Sequence, residues 1–296
     1  MKVIRTISEI RTEMRNAQSN HNNKVGLVPT MGYLHEGHAS LMREARKQTD
    51  VVVVSIFVNP IQFGPGEDYE TYPRNEAHDL ALAEAEGVDI VFMPSVSEMY
   101  PTPTKTKISV SDITTLLCGA SRPGHFDGVT TVVSKLFHIV KPDYAFFGMK
   151  DAQQVAVIEQ MVRDLNMDVK IVPCPIIREA DGLALSSRNV YLSPEERQQA
   201  LVLSASLRAA QSAVLQGQLT TATEIRALLQ EQITSSPLAE IDYVELLHFP
   251  ELTPLEAAHR IVEGDSLIMA LAVKFGRTRL IDNALLQLQK VGDSHV

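Results

Sequence analysis

Val25-Gly26-Leu27-Val28-Pro29-Thr30-Met31-Gly32-Tyr33-Leu34-His35-Glu36-Gly37-His38 decides the fold. Val25 to Pro29 is an apolar run of strand length. Gly32 and Gly37 follow, and then Ala39, Leu41, Met42 and Ala45 recur at helical spacing. A strand, a glycine-bearing turn and a helix in that order open an α/β unit.

The pattern recurs along the first two thirds of the chain. Val51 to Val58 and Val88 to Met93 read as strands, with Asn75 to Glu86 as a helix between them. That helix places Ala77, Leu80, Ala81 and Ala85 on its apolar stripe. Val129 to Val140 and Gln153 to Leu165 read as helices, and Ala145 to Phe147 and Val169 to Pro173 as strands. Strands without clean alternation, spaced by helices, predict a parallel sheet covered on both faces. The fold class is therefore α/β, a Rossmann-like doubly wound sheet, with ligands at the carboxyl ends of its strands.

The pattern changes after Leu192. Ser193-Pro194-Glu195-Glu196 is a helix start with a capping box, and a long Ala/Leu/Gln helix runs on to about Gly217. Thr221 to Ser235 predicts a second helix. Ile241 to Leu247, Ser266 to Val273 and Thr278 to Ile281 predict strands. This makes a smaller C-terminal α+β domain. The boundary falls between Pro175 and Leu192, giving domains 1–176 and 177–296.

Composition narrows the function. The 296 residues carry a formal net charge of −9, which disfavours nucleic acid as a partner. No run reaches the ~20 apolar residues of a membrane span, and the amino terminus has no signal-peptide core. Two distant cysteines, Cys118 and Cys174, make no disulfide framework and no metal spacing, so the expected compartment is the cytoplasm.

Five segments carry candidate chemistry. In the first, His35 and His38 sit at a helix start, where free N–H groups and the helix dipole favour an anion. Two roles remain open beside phosphate contact: helix capping, or a zinc pair. The metalloprotease order His-Glu-x-x-His is absent. In the second, Asn59 and Gln62 set amides beside Phe57, Ile61 and Phe63, a mixed lining for a small hydroxy acid or an ordinary turn at Asn59-Pro60. In the third, Cys118 to Val129, Arg122 and His125 stand in a glycine-rich stretch that reads as a mobile loop. In the fourth, Gly148-Met149-Lys150-Asp151 leads from a strand into a helix bearing Gln154. Lys150 there opposes the helix dipole unless it meets an anion, and Asp151 suits an N-cap, a ribose or a metal. In the fifth, Leu185-Ser186-Ser187-Arg188 follows a glycine turn as an anion grip or as a polar linker.

Together these segments resemble pantothenate synthetases. The resemblance rests on Pro-Thr-Met-Gly-x-Leu-His-x-Gly-His from Pro29, Phe-Val-Asn-Pro-x-Gln-Phe from Phe57 and Arg-Pro-x-His-Phe-x-Gly-Val from Arg122. Phe-Gly-x-Lys-Asp-x-Gln-Gln from Phe147 and Leu-Ser-Ser-Arg-Asn from Leu185 complete it. His35-Glu36-Gly37-His38 and Leu185–Asn189 also resemble the two signatures of the wider nucleotidyltransferase superfamily. Some relatives carry Met where Leu185 stands, a near-isosteric exchange.

The resemblance implies a ligase that adenylates pantoate with ATP, releases pyrophosphate, and passes the acyl group to β-alanine with loss of AMP. It implies ATP contacts at Met31, Gly32, Tyr33, Leu34, His35, Glu36, Gly37 and His38, at Gly148, Met149, Lys150 and Asp151, at Ile177, and at Leu185, Ser186, Ser187 and Arg188. His38 would be the proton donor, with His35, Lys150 and Arg188 as further catalytic groups. Gln62 and Gln154 would hold pantoate, Gln62 would also meet β-alanine, and Asn59 and Arg122 would line the substrate site. Magnesium is expected with ATP, its ligands unassigned. A homodimer is expected, with 177–296 as a lid domain. Three rivals stand: a nucleotidyltransferase acting on a phosphate ester, a nucleotide-binding module without turnover, and a zinc hydrolase.

Overall fold

The computed structural model describes residues 1–18, 23–256 and 258–288. It divides into two compact units, Met1–Met149 with Val157–Ile177, and Lys150–Ala156 with Arg178–Val296.

In the first unit, β1 (Lys2–Ile4), β2 (Val25–Thr30), β3 (Val51–Ile56), β4 (Ile90–Phe92), β5 (Tyr144–Gly148) and β6 (Lys170–Cys174) form one sheet. Their order is β1-β4-β3-β2-β5-β6, and every pairing is parallel. The connections carry α1 (Ile7–Gln18), α2 (Glu36–Gln48), α3 (Glu76–Ala85), the short α4 (Val96–Met99) and α5 (Leu117–Ser121), α6 (His125–Val140) and α7 (Ala152–Asp164). The start of α7, Ala152–Ala156, belongs to the second unit. The doubly wound sheet expected from the apolar runs is present.

Chain order reverses at β2, which has β3 on one side and β5 on the other. In open α/β sheets the crevice beyond such a reversal is where ligands bind. β2 ends at Thr30 and β5 at Gly148, so the first and fourth candidate segments begin there.

Burial on both faces explains the lack of alternation in the strands. Val28, Val52, Val54 and Ile56 pack with Leu41, Met42 and Ala45 of α2 in one cluster. Gly26 permits the close fit, because a Cβ there would lie 2.7 Å from Thr49 Oγ1 and 3.1 Å from the Phe146 ring.

In the second unit, α8 (Pro194–Ala200), α9 (Val202–Leu215) and α10 (Ala222–Thr234) precede β7 (Ala239–His248), β8 (Ser266–Phe275) and β9 (Thr278–Gln287). The three strands form an antiparallel sheet with β8 central. Leu267, Met269, Leu271 and Val273 on one face of β8 join Leu203, Leu207, Ile225 and Leu229 of α9 and α10 in its core.

The structure departs from the periodicity in four places. The polar amino terminus folds as β1 and α1, held by Ile4, Ile10 and Met14, a stripe too sparse to stand out. The long helix after Ser193 is broken at Leu201, whose N–H bonds to the Gln199 carbonyl. β9 runs past Ile281 to Gln287 and so includes Asp282 and Asn283. α3 is rotated from its expected face: Ala77, Ala81 and Ala85 are exposed, while Asp79 and Ala83 are buried. Alanines give little hydrophobic contrast, and the buried aspartate has partners that outweigh it. Among the described residues no helix is long and apolar enough to cross a membrane.

Gly26→Ala should lower stability by about 1–3 kcal/mol, the usual penalty of overpacking. Urea denaturation would show a reduced midpoint with an unchanged slope; an unchanged midpoint would mean that β2 and the Thr49 region yield without strain.

Candidate active site

The turn after β2 is an unusual piece of backbone. Gly32 has φ +87° and Tyr33 φ +51°, so two successive residues are left-handed. For tyrosine this conformation is unfavourable and needs outside support. Asp79 of α3 supplies it: Oδ2 accepts the Tyr33 N–H at 2.8 Å and Oδ1 the Leu34 N–H at 2.7 Å. His78 Nε2 lies 3.1 Å from the Leu34 carbonyl and must donate to it. Burial pushes the Asp79 carboxyl above the usual aspartate range, opposed by the two N–H bonds.

This turn delivers the chain to the N-terminus of α2. His35 is the N-cap, and its Nδ1 accepts the Gly37 N–H at 3.1 Å. His38 Nδ1 accepts the His35 N–H at 3.2 Å. The two rings lie 4.2 Å apart, tilted by 46°. A ring whose Nδ1 accepts carries its proton on Nε2 and is neutral. The capping role open in the sequence is thus realised, through Nδ1 of each ring. Among the described residues no group of three or more His, Cys, Asp or Glu could hold a metal ion.

Beyond β3, Pro60–Gln62 forms a 3-10 turn. Asn59 and Gln62 are buried and bonded to each other, Asn59 Nδ2 to Gln62 Oε1 at 3.0 Å. Gln62 Nε2 lies 3.2 Å from Met31 Sδ, which ties this turn to the one after β2. Of the expected apolar lining, Phe57 is buried, whereas Ile61 is exposed and Phe63 meets Tyr69 at a tilt and Tyr72 edge-on. A cavity of about 260 Å³ opens beside Met31 and Gly32, bounded by Phe57, Tyr69 and Arg74.

The third segment is not an open loop. It forms α5 and then enters α6 at His125. Both arms of the Arg122 guanidinium meet the Glu67 carboxylate, which holds that carboxyl below the usual glutamate range. Arg122 Nη1 also lies 3.1 Å from His125 Nε2, and His125 Nδ1 lies 2.8 Å from the Gln62 carbonyl. A guanidinium only donates and a carbonyl only accepts, so His125 is the neutral Nδ1–H tautomer. Segments one, two and three therefore meet within the first unit, with Gly148 and Met149 at the adjacent strand end.

The remaining candidates lie in the second unit, except half-buried Ile177. Lys150 Nζ bonds Asp151 Oδ2 at 3.0 Å, and Gln154 is on the first turn of α7. Leu185, Ser186, Ser187 and Arg188 are half-buried, and Ser186 Oγ accepts the Arg188 N–H at 3.2 Å. β9 anchors both pieces. Asp282, 2% exposed, takes both Nη groups of Arg178 at 2.6 and 2.8 Å, while Asn283 Nδ2 donates to the Lys150 carbonyl at 3.0 Å. A bridge between Arg178 and Ala184 then leads to the serines.

Sequence reasoning passed over Asp79, Glu67, Asp282 and Asn283. A buried carboxylate within an apolar helix or strand is the signal that could have found Asp79 and Asp282. Cys174 ends β6, buried, with its thiol pushed up to about 11 by burial; it is protonated at neutral pH and no nucleophile.

Asp79→Ala leaves two N–H groups without their acceptor, at roughly 1–3 kcal/mol each. It should lower the melting temperature and depress activity more than Asp79→Asn, which keeps one acceptor oxygen. Equal activity in all three proteins would show that the turn holds without the carboxylate.

The family profile for pantoate-β-alanine ligase matches residues 2–285 of the chain. The pantothenate synthetase of Pelotomaculum thermopropionicum is 57% identical over 97% of this chain and 99% of its own length. That of Acetivibrio thermocellus is 56% identical over 97% of this chain and 100% of its own. The crystal structure of pantothenate synthetase from Thermus thermophilus matches with a TM-score of 0.88 at 45% identity, covering 98% of this chain and 100% of that one. The pantoate-β-alanine ligase of Francisella tularensis, complexed with beta-gamma ATP and β-alanine, matches with a TM-score of 0.77 at 35% identity over 96% of this chain and 97% of its own. The chain belongs to the pantoate-β-alanine ligase family.

Proposed function

We propose that this chain joins pantoate to β-alanine in two steps driven by ATP. A carboxylate is a poor acylating agent, so it must first gain a leaving group. One pantoate carboxylate oxygen attacks the α-phosphorus of ATP, and the bond to pyrophosphate breaks with its electron pair. The neutral amine of β-alanine then attacks the acyl carbon of the enzyme-held adenylate. The carbon–oxygen bond breaks, AMP leaves with the former carboxylate oxygen, and the amine proton passes to solvent.

The observation that carries this reading is the reciprocal histidine cap of α2 at the sheet's reversal point. A pair of imidazoles at the N-terminus of α2, where the helix dipole is positive, suits an anion that gains charge as pyrophosphate leaves. His38 is assigned as proton donor, with His35 beside it. Met31 to Leu34, Glu36, Gly37, Gly148, Met149, Asp151 and Ile177 are assigned to the nucleotide. Lys150, Leu185, Ser186, Ser187 and Arg188 are assigned to its phosphates, supplied from the domain of residues 177–296 and the start of α7. Gln62 and Gln154 hold pantoate, with Asn59 and Arg122 as neighbours. Arg122 engages Glu67, so its role is to shape the site rather than to present an unpaired charge.

Magnesium enters with ATP, as part of the substrate. Mg²⁺ keeps several waters and needs only one or two carboxylates beside the phosphates, and Asp151, about half exposed, suits that need. A homodimer in the cytoplasm completes the proposal, on the strength of the family.

Purified protein should form AMP and pantothenate only when ATP, magnesium, pantoate and β-alanine are all present. His38→Ala should reduce kcat by about 10²–10³, the range for losing one donor to developing charge. Cys174→Ser should stay active. Nucleotide transfer to a phosphate ester, or ATP binding without turnover in any mixture, would overturn the proposal.

A further inference from the structure

A backbone carbonyl and a tyrosine hydroxyl, one at each end of the Asn59 amide, set which end of the Gln62 amide meets the substrate. Gly128 lies where α6 passes the Pro60–Gln62 turn so closely that a Cβ would sit 2.4 Å from the Ile61 carbonyl oxygen and 2.5 Å from Gln62 Cα. Its carbonyl, which can only accept, is 3.1 Å from the Asn59 side-chain nitrogen. The Asn59 amide therefore sits with Nδ2 toward Gly128 and Oδ1 turned the other way. Tyr100 Oη lies 2.8 Å from that oxygen and must donate to it. The second hydrogen of Asn59 Nδ2 goes to Gln62 Oε1 at 3.0 Å. Gln62 then has its oxygen engaged and its nitrogen pointing on, toward Met31 Sδ at 3.2 Å. A thioether is a weak acceptor that a substrate oxygen can outcompete.

Tyr100 is well placed to hold this polarity. Burial keeps its hydroxyl protonated far above the physiological range. Lys135 Nζ sits 4.6 Å over its ring and donates to the Met99 carbonyl, which fixes the ring's position without touching the hydroxyl.

We propose that Tyr100 is a positioning residue that, through Asn59, locks the Gln62 amide with its NH₂ toward the acid substrate, so that this subsite selects an oxygen acceptor. The inference rests on the assignment of Gln62 to pantoate. Tyr100→Phe keeps the ring and removes only the donor, so the Asn59 amide keeps its Gly128 anchor, loses the one on Oδ1, and holds Gln62 less firmly.

Initial-rate kinetics of the full chain test it. Tyr100→Phe should raise KM for pantoate by about tenfold, the worth of one hydrogen bond, with KM for ATP unchanged within about twofold. In a Gln62→Ala background the same change should have no further effect on KM for pantoate, because the two residues act through one contact. Gln62→Glu, the same shape without the NH₂, should lose pantoate saturation while ATP binding persists, and it serves if Tyr100→Phe does not fold. A purely structural tyrosine would instead lower the melting temperature and leave the KM values alone. That result, additive effects in the double variant, or a Gln62→Glu enzyme that still saturates with pantoate would overturn the inference. If the unaltered chain forms no pantothenate, the functional assignment itself fails, which is a different result from normal turnover with an indifferent Tyr100.

Discussion

Two backbone N–H groups, those of Tyr33 and Leu34, need an acceptor inside the protein, and the Asp79 carboxylate provides it. Without that bond a left-handed tyrosine after a left-handed glycine would relax toward ordinary backbone, and α2 would start elsewhere. The start of α2 is where His35 caps the helix and His38 returns the bond. The helix dipole, the tautomer of both rings and the position of Met31 against Gln62 all follow from a turn that one buried carboxylate keeps in place. The carboxylate is expensive to bury, as its raised pKa shows, and two charge-assisted bonds offset that cost.

The same device recurs in the second unit. Asp282 is buried on β9, pairs with Arg178, and its neighbour Asn283 takes the Lys150 carbonyl. A short antiparallel sheet thereby anchors two segments far apart in sequence, Lys150–Asp151 and Arg178–Arg188. In each unit a buried carboxylate fixes a turn that carries candidate residues, Asp79 in the first and Asp282 in the second. Rigid placement matters for the proposed reaction, because attack on phosphorus is accelerated chiefly by positioning and charge stabilisation.

Much of this was legible in the chain. Val51–Val54 is β-branched throughout and could only be a strand buried on both faces. Ser193-Pro194-Glu195-Glu196 carries the chemistry of its own cap, and the structure has the capping box there. Three of the candidate segments stand out because glycines, histidines and amides cluster beyond strand ends, the third because glycines, Arg122 and His125 gather before a helix, and the fifth because two serines and Arg188 follow a glycine turn. What periodicity missed was long-range: α3 turned its alanines outward because Asp79 had partners more than forty residues away. No local pattern shows that an aspartate on a helix will meet a turn after another strand. The polarity of the Asn59–Gln62 pair was likewise hidden, since it depends on a carbonyl of α6.

In the proposed reaction the pantoate carboxylate itself attacks the α-phosphorus. Pantoate labelled with oxygen-18 in its carboxylate, turned over with ATP and β-alanine in ordinary water, reports this through the mass of the AMP. The account predicts one labelled oxygen in each AMP and none in pyrophosphate. Unlabelled AMP, with the label in pyrophosphate or phosphate, would contradict it and place the attack on another phosphorus.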